Sequence, residues 1–386
     1  MDCERVPERG RGLFRAHLAM SYFPPVKTRR ILLVAAVVFG VVGLTRAEAS
    51  AVSGTVETWG DKIGPPPVAV AWLPVATDVQ AANWGGLSID EAGSVWQWKA
   101  QAHPHGVEES GPVGATSIGE GYSFSAAVDS AGNVWTWGDN DDGDLCLGKN
   151  TKTVKNPKNT GITGATEVTG GSHRLAILLS DGRVLSCGSD AFGQLGNGES
   201  KGQSSTPVFA SGIDDATEVS AGDTTDVALE FDGTVWAWGK GDLGEIGNGQ
   251  FENVDVPTQV MLPGPASEVY AGGDLSSNGS EIALLDDGTV WAWGDDAEGQ
   301  LGPDGNGTAN ATPVQVPLPV GTMVTWAGMS GETGYALDSA GNLWAWGDDS
   351  QDEYGNGASS SSAPGIVQTG CSQVSVVANK VVAICS

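Results

Sequence analysis

Asp232-Gly233-Thr234-Val235-Trp236-Ala237-Trp238-Gly239 holds a tight turn and a strand in eight residues. The Asp-Gly pair supplies the positive-φ positions of a hairpin. Val-Trp-Ala-Trp then alternates with period two, the spacing of a β-strand and not of a helix. Working outward, a second apolar strand, Val227-Ala228-Leu229, precedes the turn. Both faces of the strand carry apolar residues, so the sheet it builds must be covered on two sides.

The same phrase recurs along the chain at 53–60, 92–99, 131–138, 181–188, 287–294 and 340–347, making seven copies. Counted at the residue before the final Gly or Lys, the steps are 39, 39, 50, 51, 55 and 53. A period in this range marks a solenoid, propeller or array. Sheets stacked face to face around an axis satisfy the two-sided burial, with Trp of one sheet set against Ala of the next. The 57 Gly and 14 Trp of this 386-residue chain fit many short strands and tight turns. The expectation is an all-β, seven-bladed β-propeller in which every W-x-W pair is core.

The first copy, Ser53–Gly60, has no strand ahead of it. Residues 374–384 align without gaps to 219–229, and Cys385 and Ser386 then stand where Glu230 and Phe231 precede the turn. The last blade is therefore expected to be composite, the N-terminal strand pairing with the C-terminal strands. That closes the ring and removes exposed sheet edges.

Residues 1–49 read as a signal peptide. Lys27, Arg29 and Arg30 precede fourteen apolar residues, Ile31–Leu44, and small residues follow at Ala47, Ala49 and Ala51. Met20 is a second candidate start, and Thr28-Arg29-Arg30 is faintly like a twin-arginine signal. Fourteen helical residues cover about 21 Å, short of the roughly 30 Å hydrocarbon core. Cleavage is thus expected over an uncleaved signal anchor, leaving residues 50–386 as one secreted or envelope-exposed propeller.

The net charge is −28; from residue 49 onward 11 Lys and Arg stand against 43 Asp and Glu, about −32. So acidic a surface repels phosphate backbones, which argues against a nucleic-acid partner.

Residues 165–209 carry a family likeness. Glu167-Val168-Thr169-Gly170-Gly171-Ser172-His173 leads to Asp181-Gly182-Arg183-Val184 and Cys187-Gly188, then Phe192-Gly193-Gln194-Leu195-Gly196-Asn197-Gly198 and Thr206-Pro207-Val208. Gln300-Leu301-Gly302 with Thr312-Pro313-Val314, and Gly247-Asn248-Gly249 with Val256-Pro257-Thr258, repeat it. The stretch 51–386 resembles the regulator-of-chromosome-condensation family, whose members form seven-bladed propellers. The founding member is a chromatin-bound exchange factor for a small GTPase, a role the export signal and the acidity disfavour. The chain is also similar to secreted bacterial propellers of the family, including a β-lactamase inhibitory protein. Those bind through loop aromatics, and Trp84, Tyr122 and Phe124 occupy comparable loops here, with His173 and Thr224 at the corresponding places in the next repeats.

Other groups offer less chemistry. His103-Pro104-His105 supplies two ligands without a third. Asp139, Asp141, Asp142 and Asp144 form an acidic run that departs from the EF-hand pattern, so a solvated rim is expected ahead of calcium. Further acids cluster at 295–298 and 348–353. No nucleophile–base pair or phosphate loop stands out, so neither enzyme activity nor a cofactor is expected. Cys371 and Cys385 flank the terminal hairpin and can bridge it, while Cys187, at a Trp position, reads as a buried thiol. The leading function is non-enzymatic binding of a protein partner by a monomer. The alternatives are inhibition of a secreted enzyme, carbohydrate binding or catalysis, and GTPase exchange.

Overall fold

The computed structural model describes residues 55–60, 67–70, 73–82, 85–99, 107–149, 152–200, 202–273, 279–377 and 380–386. All of them lie in one compact unit, residues 51–386. Among them there is no helix; 28 strands pair into seven four-stranded antiparallel sheets. Six blades are continuous in sequence, at 76–108, 115–159, 165–209, 216–259, 266–316 and 324–368. The seventh is composite, as the sequence predicts: Cys371–Val377 and Lys380–Cys385 are completed by Thr55–Gly60 and Val68–Ala69. Its register pairs Thr55 with Cys385 and Trp59 with Val381. The first strand of every blade touches the first strand of the next, all the way round, so these seven strands form the inner wall of a closed ring.

The hairpins show why the strands turn where they do. In blade six Asp338 accepts the backbone N–H groups of Ala340 and Asn342 on one carboxylate oxygen and the Trp344 indole N–H on the other. Asp90 and Asp129 make the same set in blades one and two. Gly341 completes the turn at φ +80°, a conformation that penalises any Cβ. In blades four and five, the turn residues Asp232 and Asp287 cap Thr234 and Thr289 instead.

The core lies in layers between blades. Val227, Leu229, Val235 and Ala237 of blade four pack on Val269, Ala271, Ala283, Leu285 and Trp293 of blade five. The two Trp residues of each W-x-W pair differ, contrary to the expectation that both are core. Trp238, Trp293 and Trp346 are fully buried, whereas Trp236, Trp291 and Trp344 are half-buried. The half-buried set sits next to the hairpin, at the open end of the blade, and Trp344 uses its polar edge there on Asp338.

Candidate binding rim

In an antiparallel four-stranded meander, the first and third connections emerge at one end and the middle hairpin at the other. The links to the next blade also lie at the hairpin end. The described candidate loops therefore share one rim.

Among the described residues, the third connections of blades two to six share an internal plan. Asn140, Asp190, Asp296 and Asp349 each accept the backbone N–H five residues on, at 2.9, 3.1, 3.1 and 2.7 Å. Gln194, Glu245, Gln300 and Glu353 accept the N–H two residues back, at 2.8, 2.7, 2.9 and 2.8 Å. Much of the acidity read as solvated or cation-binding thus turns inward to satisfy its own loop.

The run in blade two departs from this plan. Asp144 stands where the other blades have Gln or Glu and is one methylene too short to reach back. It is buried, one of its carboxylate oxygens has no hydrogen-bond partner, and burial followed by the charges of Asp142, Asp139 and Asp141 pushes its pKa up to about 7. Asp141 points to solvent, Asp139 accepts the N–H of Asn140, and Asp142 faces His173 Nδ1 at 3.3 Å. Among the described residues no three His, Cys, Asp or Glu side chains gather as a metal site.

Tyr122 and His173, from adjacent blades, come together at this rim. Their ring centroids lie 5.8 Å apart, and Tyr122 N–H donates to the carbonyl of Ser172. Beside them is a cleft of about 200 Å³ lined by Ser172, His173, Phe192, Gln194, Asp223 and Thr224. Phe124 lies elsewhere: it opens the second strand of blade two, is 2% exposed, and joins the apolar layer between blades two and three. Trp84, His103 and His105 lie outside the described residues, as do positions 1–54 with the signal segment. Phe192 is the residue the sequence reading missed, because its place in Phe-Gly-Gln-Leu-Gly marked it as repeat signature. A larger hollow of about 450 Å³ lies at the hairpin end beside Pro263, Pro265 and Trp291. Its Asp287 is engaged by the hydroxyl and N–H of Thr289.

Beneath the rim lies a buried charged network. Arg174 donates to Asp226 and to the carbonyls of Asp223 and Thr225, and both side chains are fully buried. Lys240 pairs with Asp242 at 2.7 Å and Glu245 at 3.4 Å. Burial, then the neighbouring Glu245, raises the pKa of Glu281 well above the carboxylate range. Burial also pushes Glu120 up to about 8, against the hydrogen bonds from Ser125 and Gln97.

Two disulfides brace the ring. Cys371–Cys385 bridges the terminal hairpin, as the sequence predicts. Cys187, expected as a buried thiol, is buried but bonded to Cys146. Cys187 stands at a Trp position of the repeat, whereas Cys146 lies in the loop beyond the W-x-W phrase.

Fold and site together define a closed seven-bladed β-propeller with its long loops gathered on one rim. A family profile for the regulator of chromosome condensation (RCC1) repeat matches residues 181–229, 232–277 and 287–337, and a second profile for that repeat matches 116–144. These residues thus carry RCC1 repeats, set within the seven-bladed propeller. Its curated relatives include the human probable E3 ubiquitin-protein ligase HERC6, 28% identical over 210 residues, 53% of this chain and 20% of that protein. Human E3 ubiquitin-protein ligase HERC2 is 37% identical over 147 residues, 36% of this chain and 3% of that protein. The chain therefore spans a fifth or less of these relatives. Among solved structures, human WBSCR16 superposes with a TM-score of 0.74 at 18% identity, over 86% of this chain and 99% of that one. Prp20p from Saccharomyces cerevisiae, described with its binding to Gsp1p and histones, gives 0.71 at 17% identity, over 86% and 91%. Such identities show the fold alone.

Proposed function

We propose that this chain is an exported, non-enzymatic binding propeller that offers the loop rim of blades two to four to a protein partner. The observation that carries the reading is the gathering of Tyr122, Asp142, His173 and Phe192 from separate connections beside one cleft. An aromatic pair with a polar tip on a rigid support is the kind of group that dominates protein interfaces. Tyr122 is half-buried and so pre-ordered, which lowers the entropy lost on binding. The description of Prp20p with Gsp1p and histones supports protein recognition by this fold. Export is supported by the basic and apolar pattern before residue 50 and by two disulfides, which persist in oxidising compartments.

The test is capture from the extracytoplasmic fraction with the intact protein, Tyr122→Ala/His173→Ala, and Phe231→Ala at the opposite rim. Capture lost only in the first variant supports the reading. Capture that fails in all three, or depends on Phe231, overturns it. N-terminal sequencing of the protein recovered outside the cytoplasm is expected to begin between Ser50 and Ser53; an intact cytosolic chain overturns export.

A further inference from the structure

At four blade boundaries the same contact recurs. The indole N–H of Trp238, Trp293, Trp346 and Trp59 donates to the carbonyl of Gln194, Glu245, Gln300 and Glu353 in the preceding blade, at 2.9, 2.8, 2.8 and 2.8 Å. Two residues beyond each acceptor stands a glycine with positive φ: Gly196, Gly247, Gly302 and Gly355. At Gly196, Gly247 and Gly355 the indole packs against this backbone, whereas Gly302 faces Val316 and Pro317. A Cβ added at Gly196 would lie 2.8 Å from the Trp238 indole nitrogen, and one at Gly355 would lie 2.6 Å from the Trp59 ring.

At the boundary between blades two and three, both partners are replaced together. Cys187 occupies the Trp position and its sulfur lies 3.5 Å from the carbonyl of Asp144, the equivalent acceptor. Cys146 occupies the glycine position and keeps its backbone, at φ +55°, where a non-glycine residue is uncommon. The Cβ of Cys146 would collide with an indole, and a small side chain opposite removes the collision. The two sulfurs are joined and both residues are buried.

We propose that Cys146–Cys187 is a redox-dependent lock that replaces the Trp–Gly contact found at three other boundaries and holds loop 139–149 against blade three. A two-electron exchange with a dithiol reductant opens it: the Cys146–Cys187 S–S bond breaks, each sulfur takes up a proton from the dithiol, and the dithiol closes to its own disulfide. The opened boundary then has neither the covalent bond nor the indole. Loop 139–149, which carries Asp142 to His173, is released at the rim. The proposal stands independently of what the rim binds.

Hydrogen exchange of loop 139–149 in the intact chain tests this before and after dithiothreitol, with alkylation and mass analysis confirming which disulfide opens. The comparison protein is Cys146→Gly/Cys187→Trp, which restores the pair used elsewhere and retains Cys371–Cys385. Reduction is expected to speed exchange of the loop in the native sequence by on the order of tenfold or more, and to leave the double variant slow. Confirmed opening of Cys146–Cys187 with exchange changed by less than about twofold overturns the proposal, as does a folded double variant as fast as the reduced native chain. Should the double variant not fold, Cys371→Ser/Cys385→Ser serves as the control. Loop exchange must then still rise on reduction in a protein whose only disulfide is Cys146–Cys187.

Discussion

Trp59 donates its indole N–H to the carbonyl of Glu353 across 2.8 Å, joining residues 294 positions apart in the chain. Trp59 lies on the N-terminal strand of the composite blade, and Glu353 lies in the third connection of blade six. The contact that links ordinary neighbours is thus reused to close the ring. Tyr335 donates its hydroxyl to the same carbonyl at 3.0 Å and packs in the same apolar layer as Trp59 and Val376.

Trp59→Ala is accordingly expected to cost about 3–5 kcal/mol, the range for removing a fully buried large aromatic. Trp344→Ala is expected to cost distinctly less, because that ring is half-buried at the hairpin end. Urea midpoints of the two variants, with m-values compared, check the order. Equal losses would mean that the composite blade adds nothing special to closure.

Closure, blade count and hairpin positions were legible because each rests on a local pattern repeated in register. The gap-free alignment of 374–384 with 219–229 needed no tertiary information. Phe124 was misplaced because a boundary between loop and strand moves by a residue or two without changing the pattern, and the first strand position faces inward here. Cys146 escaped because its meaning depends on a contact across the blade boundary, nine residues after a Trp in its own repeat. Arg174 and Glu120 look like ordinary polar strand ends. Only packing shows that they are buried under the rim.

Arg174 and Asp226 form a fully buried pair across blades three and four. Arg174→Met leaves the Asp226 carboxylate without its cation, and such losses cost about 3–5 kcal/mol. Arg174→Met/Asp226→Leu removes both charges and is expected to recover most of that loss. Chemical denaturation of the two variants and the native chain completes the comparison. A double variant as unstable as the single would show that the carbonyl contacts of Arg174 to Asp223 and Thr225 carry the stability instead.

Asp338 collects two backbone N–H groups, the Asn342 amide and the Trp344 indole N–H. Burial works against its ionisation, but those hydrogen bonds outweigh it and hold the carboxyl below the usual 3.8. Its stabilising effect is therefore present above the unfolded value and fades as pH falls through the lower folded one. Asp338→Ala is expected to destabilise by about 1–2 kcal/mol at neutral pH, comparable to losing a side-chain cap. The penalty should shrink in strong acid. Thermal midpoints at neutral pH and at about pH 2.5 decide it, and a penalty independent of pH would assign the effect to packing of Trp344 alone.

Glu120 carries the opposite sign. Burial is the main cause that lifts its carboxyl from 4.5 to about 8, outweighing the hydrogen bonds from Ser125 and Gln97 that favour the charged form. The folded chain therefore keeps a proton that the unfolded chain releases near 4.5. Between those values the native state binds more protons than the unfolded state, so stability must fall as pH rises. The contribution is complete below the unfolded value and lost as pH passes the folded one. Glu120→Gln preserves the shape and an acceptor for the Ser125 hydroxyl but cannot ionise. The variant is expected to match the native chain near pH 4 and to exceed it in stability above about pH 8. Asp144 and Glu353, both pushed up to about 7, titrate in the same window in both proteins. Only the difference between native and variant curves isolates Glu120. Parallel urea midpoints from pH 4 to 9 would mean that water reaches the carboxylate and that the layer beneath the rim is open.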